Sequence, residues 1–469
     1  MDGAATYRRW RAQRVWLRAP ARALALLAPD ARAGEDGDPD ALSLYAWLAL
    51  TYQREEAEAE RAARLALRGG GGPARFASAA LAAVLLNRGE RDAAVDALRE
   101  AQRRNPGVPW YTLSIADALV EAGRAPEAEA LLEDAAAAGP PLRRHALKRL
   151  SRLSLERGDR DRARRFFAQL LDLAPDYLVY ASDYVTSGGL ELEAGHPDGA
   201  REIWRRGAGI YPRHDGLRAL LAEHFGDDGP AGAPRIPRVS EQSVGAHRIP
   251  VKTPFITART GLHRLVDEAT AAVREPGDVL VLAESAAAAG QGKIVPLELV
   301  EPGRVARLLS RFVGEIGPLH SPEGMEGAIL EAGRPRVLLG AVAGAAGKLF
   351  KRRGWFYRVA GPEAAMIDDV AACMPPHDHH VLFGPRDPDG LARSLSAKLG
   401  CEVAIVDANH LSGAWVVGAT PNVDRRWLTA ALADNPAGNE DEGTPVVLVR
   451  RIGAGDGAAT GSPVGAAAQ

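Results

Sequence analysis

The chain has 469 residues, of which 46% are hydrophobic and 25% charged, and its formal net charge is −2. A chain of that length holds two or three domains with sizeable cores, and the near-neutral balance, with no long basic run, excludes a nucleic-acid-binding class. Two cysteines, Cys373 and Cys401, exclude a disulfide framework. The apolar run Ala23–Ala28 is too short for a signal peptide, and no apolar stretch approaches the ~20 residues that span a bilayer. A cytoplasmic protein with no membrane partner is therefore expected.

The first half is periodic. Gly89, Gly123, Gly158 and Gly195 are spaced 34, 35 and 37 residues apart, and Pro106, Pro140, Pro175 and Pro212 each follow one of them by 17 residues. Between them recur the small and bulky positions Ala94/Leu98/Ala101, Ala128/Leu132/Ala135, Ala163/Phe167/Leu170 and Ala200/Trp204/Gly207. This is the tetratricopeptide pattern of paired helices, with an earlier unit marked by Tyr45, Leu48, Ala49 and Tyr52. No helix pair buries its apolar face alone, so about five repeats must stack, over roughly residues 41–213, between capping helices. The first domain is thus 1–225. Its expected role is to offer a groove to a peptide or partner protein.

Residues 226–246 (GDDGPAGAPRIPRVSEQSVGA) break the periodicity and read as a linker. Residues 453–469, rich in glycine and alanine, read as a disordered tail. In the second domain, 247–452, short apolar runs alternate with helical patterns. The strands predicted are Ile249–Thr253, Val279–Ala283, Ile294–Val300, Val337–Val342, His380–Phe383, Val403–Val406, Trp415–Val417 and Val446–Arg450. The helices predicted are Leu262–Arg274, Arg304–Val313, Pro322–Ala332, Pro388–Leu399 and Asp424–Ala433. The fold class is an all-α repeat array followed by an α/β (α+β) domain with a mixed sheet.

Three stretches of the second domain invite a chemical reading. Gly340–Lys348 has the look of a phosphate loop, but Val342 and Leu349 stand where a glycine and a Ser or Thr are required, so it reads as a small-residue packing segment. His377-Asp378-His379-His380 follows two prolines and reads as a surface loop. Asp368 follows an aromatic-rich block, and Asp407 ends the run Val403–Val406, where a strand presents its last side chain at the sheet edge. Carboxylates from separate elements are how a protein holds a divalent cation.

Several ordered blocks carry a resemblance over about residues 247–452. They are Val251-Lys252-Thr253-Pro254, Gly277-Asp278-Val279-Leu280-Val281, Gln291-Gly292-Lys293, Gly354–Gly361, Ile367-Asp368, Gly384–Asp389, Ile405–Asn409 and Asp434-Asn435-Pro436. This domain resembles the coenzyme F-420:L-glutamate (gamma-glutamyl) ligase family, in a divergent branch. The resemblance implies an α/β fold, commonly dimeric, and an amide-forming reaction between glutamate and a small acid. It also implies GTP (or ATP) as co-substrate and Mg or Mn held by Asp368 and Asp407. Lys252, Thr253, Pro254, Gln291, Gly292 and Lys293 would then lie near the nucleotide, with Arg358 as a further anion contact. Departures from the family are Glu284-Ser285 in place of its Ser-Lys pair, Ala289 for a second lysine, and Ala408 for a threonine. The expected function is a metal- and nucleotide-dependent, gamma-glutamyl-type ligase acting on a small acid or a docked protein. The alternative is a ligase-like domain without activity, in a repeat-based scaffold.

Overall fold

The computed structural model describes residues 3–69, 74–173, 180–211, 214–227, 229, 240–313, 318–350, 354–368, 377–409, 413–438 and 443–452. Helices α1 (Gly3–Val15) and α2 (Pro20–Ala33) precede five helix pairs. These are α3 (Pro39–Leu48) with α4 (Glu56–Arg68), α5 (Arg75–Asn87) with α6 (Arg91–Arg104), and α7 (Tyr111–Glu121) with α8 (Ala125–Ala138). The last two are α9 (Arg143–Glu156) with α10 (Arg160–Leu173) and α11 (Ala181–Glu193) with α12 (Pro197–Ile210), closed by α13 (Asp215–Phe225).

The periodic glycines have a backbone reason. Gly89, Gly123, Gly158 and Gly195 sit at φ of 76°, 74°, 75° and 81°, in the left-handed turn that ends the first helix of each pair. Small residues at the contacts let the helices close up: a Cβ on Gly188 would fall inside the Trp204 ring, and one on Gly207 would lie 2.7 Å from Tyr184. Tyr111 and Tyr184 are buried core, as helical spacing of aromatics favours. Tyr177, Pro175 and Pro212 lie outside the described residues.

The second half begins with α14 (Glu241–Val244), β1 (Ala246–Val251), α15 (Leu262–Thr270), β2 (Val279–Ala283), α16 (Glu284–Gly290) and β3 (Ile294–Pro296). A helical stretch follows: α17 (Arg304–Leu309), α18 (Pro322–Ala332), α19 (Arg334–Leu349), α20 (Trp355–Ala360) and α21 (Pro362–Ala365). The chain then forms β4 (His380–Leu382), α22 (Pro388–Leu399), β5 (Glu402–Asn409), β6 (Gly413–Ala419), α23 (Arg425–Ala431) and β7 (Val446–Arg451). The main sheet is mixed, in the order β1-β7-β2-β5-β6, with only β2 and β5 parallel neighbours. Strands β3 and β4 pair apart from it. Alternation along the strands feeds two layers. Leu280, Leu282, Val403 and Ile405 pack with α15, α16 and α22, while Val281, Ala404 and Val406 pack with α23.

Val337–Val342, expected as a strand, lies inside α19. Pro335 opens this helix at a position where its missing N–H costs nothing, and the run holds only two β-branched residues. Gly340 and Gly344 press against α20, where added Cβ atoms would lie 3.0 Å from Ala360 and 3.2 Å from Phe356, so the packing role read for this segment is realised in a helix hairpin. Ile294–Val300 is likewise shorter than expected, giving way after Pro296 to a 3-10 turn over Leu297–Leu299.

The two halves share a core. One apolar cluster runs from the repeats (Leu48, Leu81, Leu113, Leu150) into Val295, Leu297, Met325, Ile329, Val381 and Phe383 of the second half.

Candidate functional site

Strand direction gathers the chemistry at one edge of the sheet. Strand β7 is antiparallel to both β1 and β2, and β2 is parallel to β5, so β1, β2 and β5 all end at the same edge. The register Ala283↔Val406 makes Glu284 and Asp407 the next residues out on neighbouring strands. Lys252, Thr253 and Pro254 leave β1 at this edge too, with Lys252 exposed and the Thr253 amide donating to Gly443 O at 3.1 Å. Asp368 arrives from elsewhere. Its backbone pairs with Leu382 through bonds of 3.0 and 2.7 Å, and Leu382 packs against Ala288 of α16, the helix that Glu284 begins.

These three carboxyl groups act on one another. Burial first, then the charges of Asp407 and Asp368, pushes Glu284 up to about 9. Burial and then Asp407 pushes Asp368 up to about 6, although its side chain still meets solvent and that water tempers the effect. Burial and the charge of Asp368 also raise the Tyr357 phenol, which ties the exposed end of α20 to the cluster. Arg358, next along α20, is exposed. At neutral pH Glu284 therefore keeps its proton while negative charge concentrates on the aspartates. Glu284 was not among the residues expected at the site. Its signal was its place immediately after a predicted strand, where the resembling family carries Ser-Lys. Asp369 lies outside the described residues.

Gln291, Gly292 and Lys293 are placed differently from the nucleotide contacts expected. The Lys293 ammonium, 1% exposed, is bonded to Glu331 at 2.5 Å, and burial lowers its pKa. The Gln291 amide is spent on the Arg386 backbone, donating to its O at 2.9 Å and accepting from its N at 2.6 Å. Gly292 O accepts from the Tyr52 hydroxyl of the first repeat at 3.0 Å. Their polar groups are committed within the chain, Gly292 to the first repeat and the other two to the second half.

A second correction concerns His377–His380, expected as a surface loop. Asp378 and His379 are buried against the repeats. Arg149 of α9 donates to Asp378 at 2.7 and 2.9 Å and to Asp117 of α7 at 2.8 and 3.0 Å, and lies 3.0 Å from His379 Nδ1. Ser114 donates to Glu298 at 2.7 Å, and Trp110 to Glu323 at 3.1 Å. Arg149 holds Asp378 well below the usual carboxylate range against the cost of burial. First helices of two repeats thus clasp the second half.

No family model matches the chain, and no curated protein matches it. Solved structures similar to its helical array include YrrB, described as a TPR protein with an unusual peptide-binding site. It is 19% identical, covering 42% of this chain and 98% of that one, with a TM-score of 0.31. Another is PilW, a type IV pilus biogenesis factor (17% identity, 47% and 100% coverage, TM-score 0.35). A third is the C-terminal part of a TPR repeat-containing protein from Cytophaga hutchinsonii (13% identity, 47% and 86% coverage, TM-score 0.36). The first half is a tetratricopeptide-like helical repeat array, and the likeness extends no further than that fold.

Proposed function

We propose that the protein is a metal- and nucleotide-dependent ligase of the gamma-glutamyl type, forming an amide on a small acid or on a protein docked by the repeats. The observation that carries this reading is the mutual charge coupling of Glu284, Asp368 and Asp407 where β2 ends beside β5; the family resemblance of the surrounding sequence supports it. Among the described residues, no three His, Cys, Asp or Glu side chains form a ready cation cage. A Mg or Mn ion would therefore rest on Asp368 and Asp407 and take its other oxygens from water and substrate phosphates, as magnesium commonly does. Such an ion neutralises the nucleotide's phosphate oxygens. In the reaction, GTP or ATP gives its terminal phosphoryl group to the acceptor carboxylate, and the amine of glutamate then displaces phosphate to leave the amide. Lys252 and Arg358, both exposed, are the cations suited to steer these anions. Glu284 keeps a proton that it can release as positive charge arrives. A homodimer through the second half belongs to the same reading.

The test is calorimetric titration with GTP or ATP in the presence of Mn, followed by turnover assays. Asp407→Ala should lower metal-dependent turnover at least about a hundredfold; unchanged turnover overturns the assignment. A second reading, a scaffold without activity, is favoured by the way Gln291 and Lys293 are spent on bonds within the second half and Gly292 on the repeats. Absence of heat with both nucleotides would decide for it. In either reading, a peptide or protein partner would use first-helix positions flanking those that α7 and α9 give to the clasp.

A further inference from the structure

Hairpin α19–α20 leaves large apolar side chains in water. Leu339 is 63% exposed, Val342 70%, Phe350 65%, and Leu338 also stands out. Phe312, 66% exposed, joins them, since the Lys348 ammonium donates to Phe312 O at 2.8 Å and the Phe350 and Trp355 rings lie 6.3 Å apart. A protein surface does not usually keep so many large apolar side chains on one hairpin and its neighbour without a partner.

The two segments that carry the patch hold basic residues and no acid, the acids Glu363 and Asp368 lying beyond them at the α20 end. Residues 304–313 contain Arg304, Arg307 and Arg311 and no acid. Residues 334–360 contain Arg334, Arg336, Lys348 and Arg358, with Lys351-Arg352-Arg353 in the sequence between, and again no acid. Among the described residues, Arg336 alone reaches an acid beyond this segment, Glu363 at 3.4 Å. The acids of the intervening α18 are engaged elsewhere: Glu323 with Trp110, Glu326 with the Gly303 amide and Glu331 with Lys293.

We infer that this surface docks on an anionic lipid bilayer. Apolar side chains to enter the headgroup boundary, flanked by lysine and arginine to meet acidic lipid, are the two requirements of an interfacial helix. Among the described residues no helix is long and apolar enough to cross a membrane, so the contact is with one leaflet. Self-pairing of the same patch would set seven basic residues, counted among the described ones, against seven more. The inference is independent of the proposed ligase activity.

The full chain is to be sedimented with phosphatidylcholine vesicles, with and without one-third phosphatidylglycerol. The expected result is co-sedimentation with the anionic vesicles only, reversed as salt rises to about 0.5 M. The double substitution Leu339→Glu with Val342→Glu should lower the bound fraction at least about tenfold with an unchanged melting curve. If that variant fails to fold, Arg304→Gln, Arg307→Gln and Arg311→Gln together carry the test and should weaken binding in the same sense. Failure to sediment with the anionic vesicles, or equal binding by folded variants, overturns the inference. So does a concentration-dependent dimer that Leu339→Glu abolishes, which would assign the patch to a second copy.

Discussion

Glu284 couples the carboxylate cluster to pH. Its folded value near 9 lies above the ordinary glutamate value of 4.5, so between those limits the native state holds a proton that the unfolded chain has released. Stability from this group is therefore fully present below about 4.5 and declines as pH rises towards 9. Glu284→Gln should raise the melting temperature at pH 8 more than at pH 5, as followed by circular dichroism. A cation at the aspartates would favour ionised Glu284, so Mn affinity should increase with pH and binding should release protons, measurable by calorimetry in buffers of different ionisation enthalpy. The histidines at the junction act in the opposite sense. Burial lowers His145 and His380 and brings His377 down to about 4, so these groups stay neutral in the folded state while the unfolded chain takes up protons below about 6.5. The urea midpoint should fall between pH 7 and pH 5, and less steeply in a His377→Asn variant.

At the scale of elements, the clasp of α7 and α9 on the second half is the contact most sensitive to change. Asp378 is buried and the Arg149 side chain is 10% exposed, so removing Arg149 leaves the Asp378 carboxylate, among the described residues, with only the His145 and His379 rings beside it. Arg149→Ala should cost about 3–5 kcal/mol in chemical denaturation, whereas replacing Arg149 and Asp378 together with apolar residues of similar volume should recover much of that loss. Helix contacts inside the array are tight in a different way. Gly188→Ala would drive a methyl into the buried Trp204 ring and should destabilise by about 1–3 kcal/mol. Hairpin α19–α20 depends on the same device, yet its outer face is apolar because packing against α20 uses only the glycine side.

Across the whole molecule, the repeats and the second half are not beads on a linker. Their shared apolar cluster, together with the Tyr52–Gly292 and Arg149–Asp378 contacts, makes joint unfolding the expected behaviour. Tryptophan fluorescence and far-UV circular dichroism should give coincident transitions, and two separated transitions would contradict this. The array therefore acts in part as a cradle for its own chain, which restricts where a peptide can dock.

Much of this was legible in the residues. The glycine period is local, because a left-handed turn demands glycine whatever surrounds it, and strand alternation is local for the same kind of reason. Asp407 drew attention because it follows an apolar strand run, although β5 continues past it to Asn409 alongside β6. The rest depended on long-range contacts that no local pattern encodes. Glu284 joins Asp407 only through the register of two strands far apart in sequence, and Lys293 is withdrawn into the core only because Glu331 of α18 and Phe383 meet it there. Val337–Val342 is apolar enough for a strand, and its helical state is fixed by the glycine contacts with α20. Residue spacing determined the repeats and the strand ends. Tertiary packing decided which charges face each other, which are buried, and which apolar face remains in water, since burial and distance set the energies of those groups.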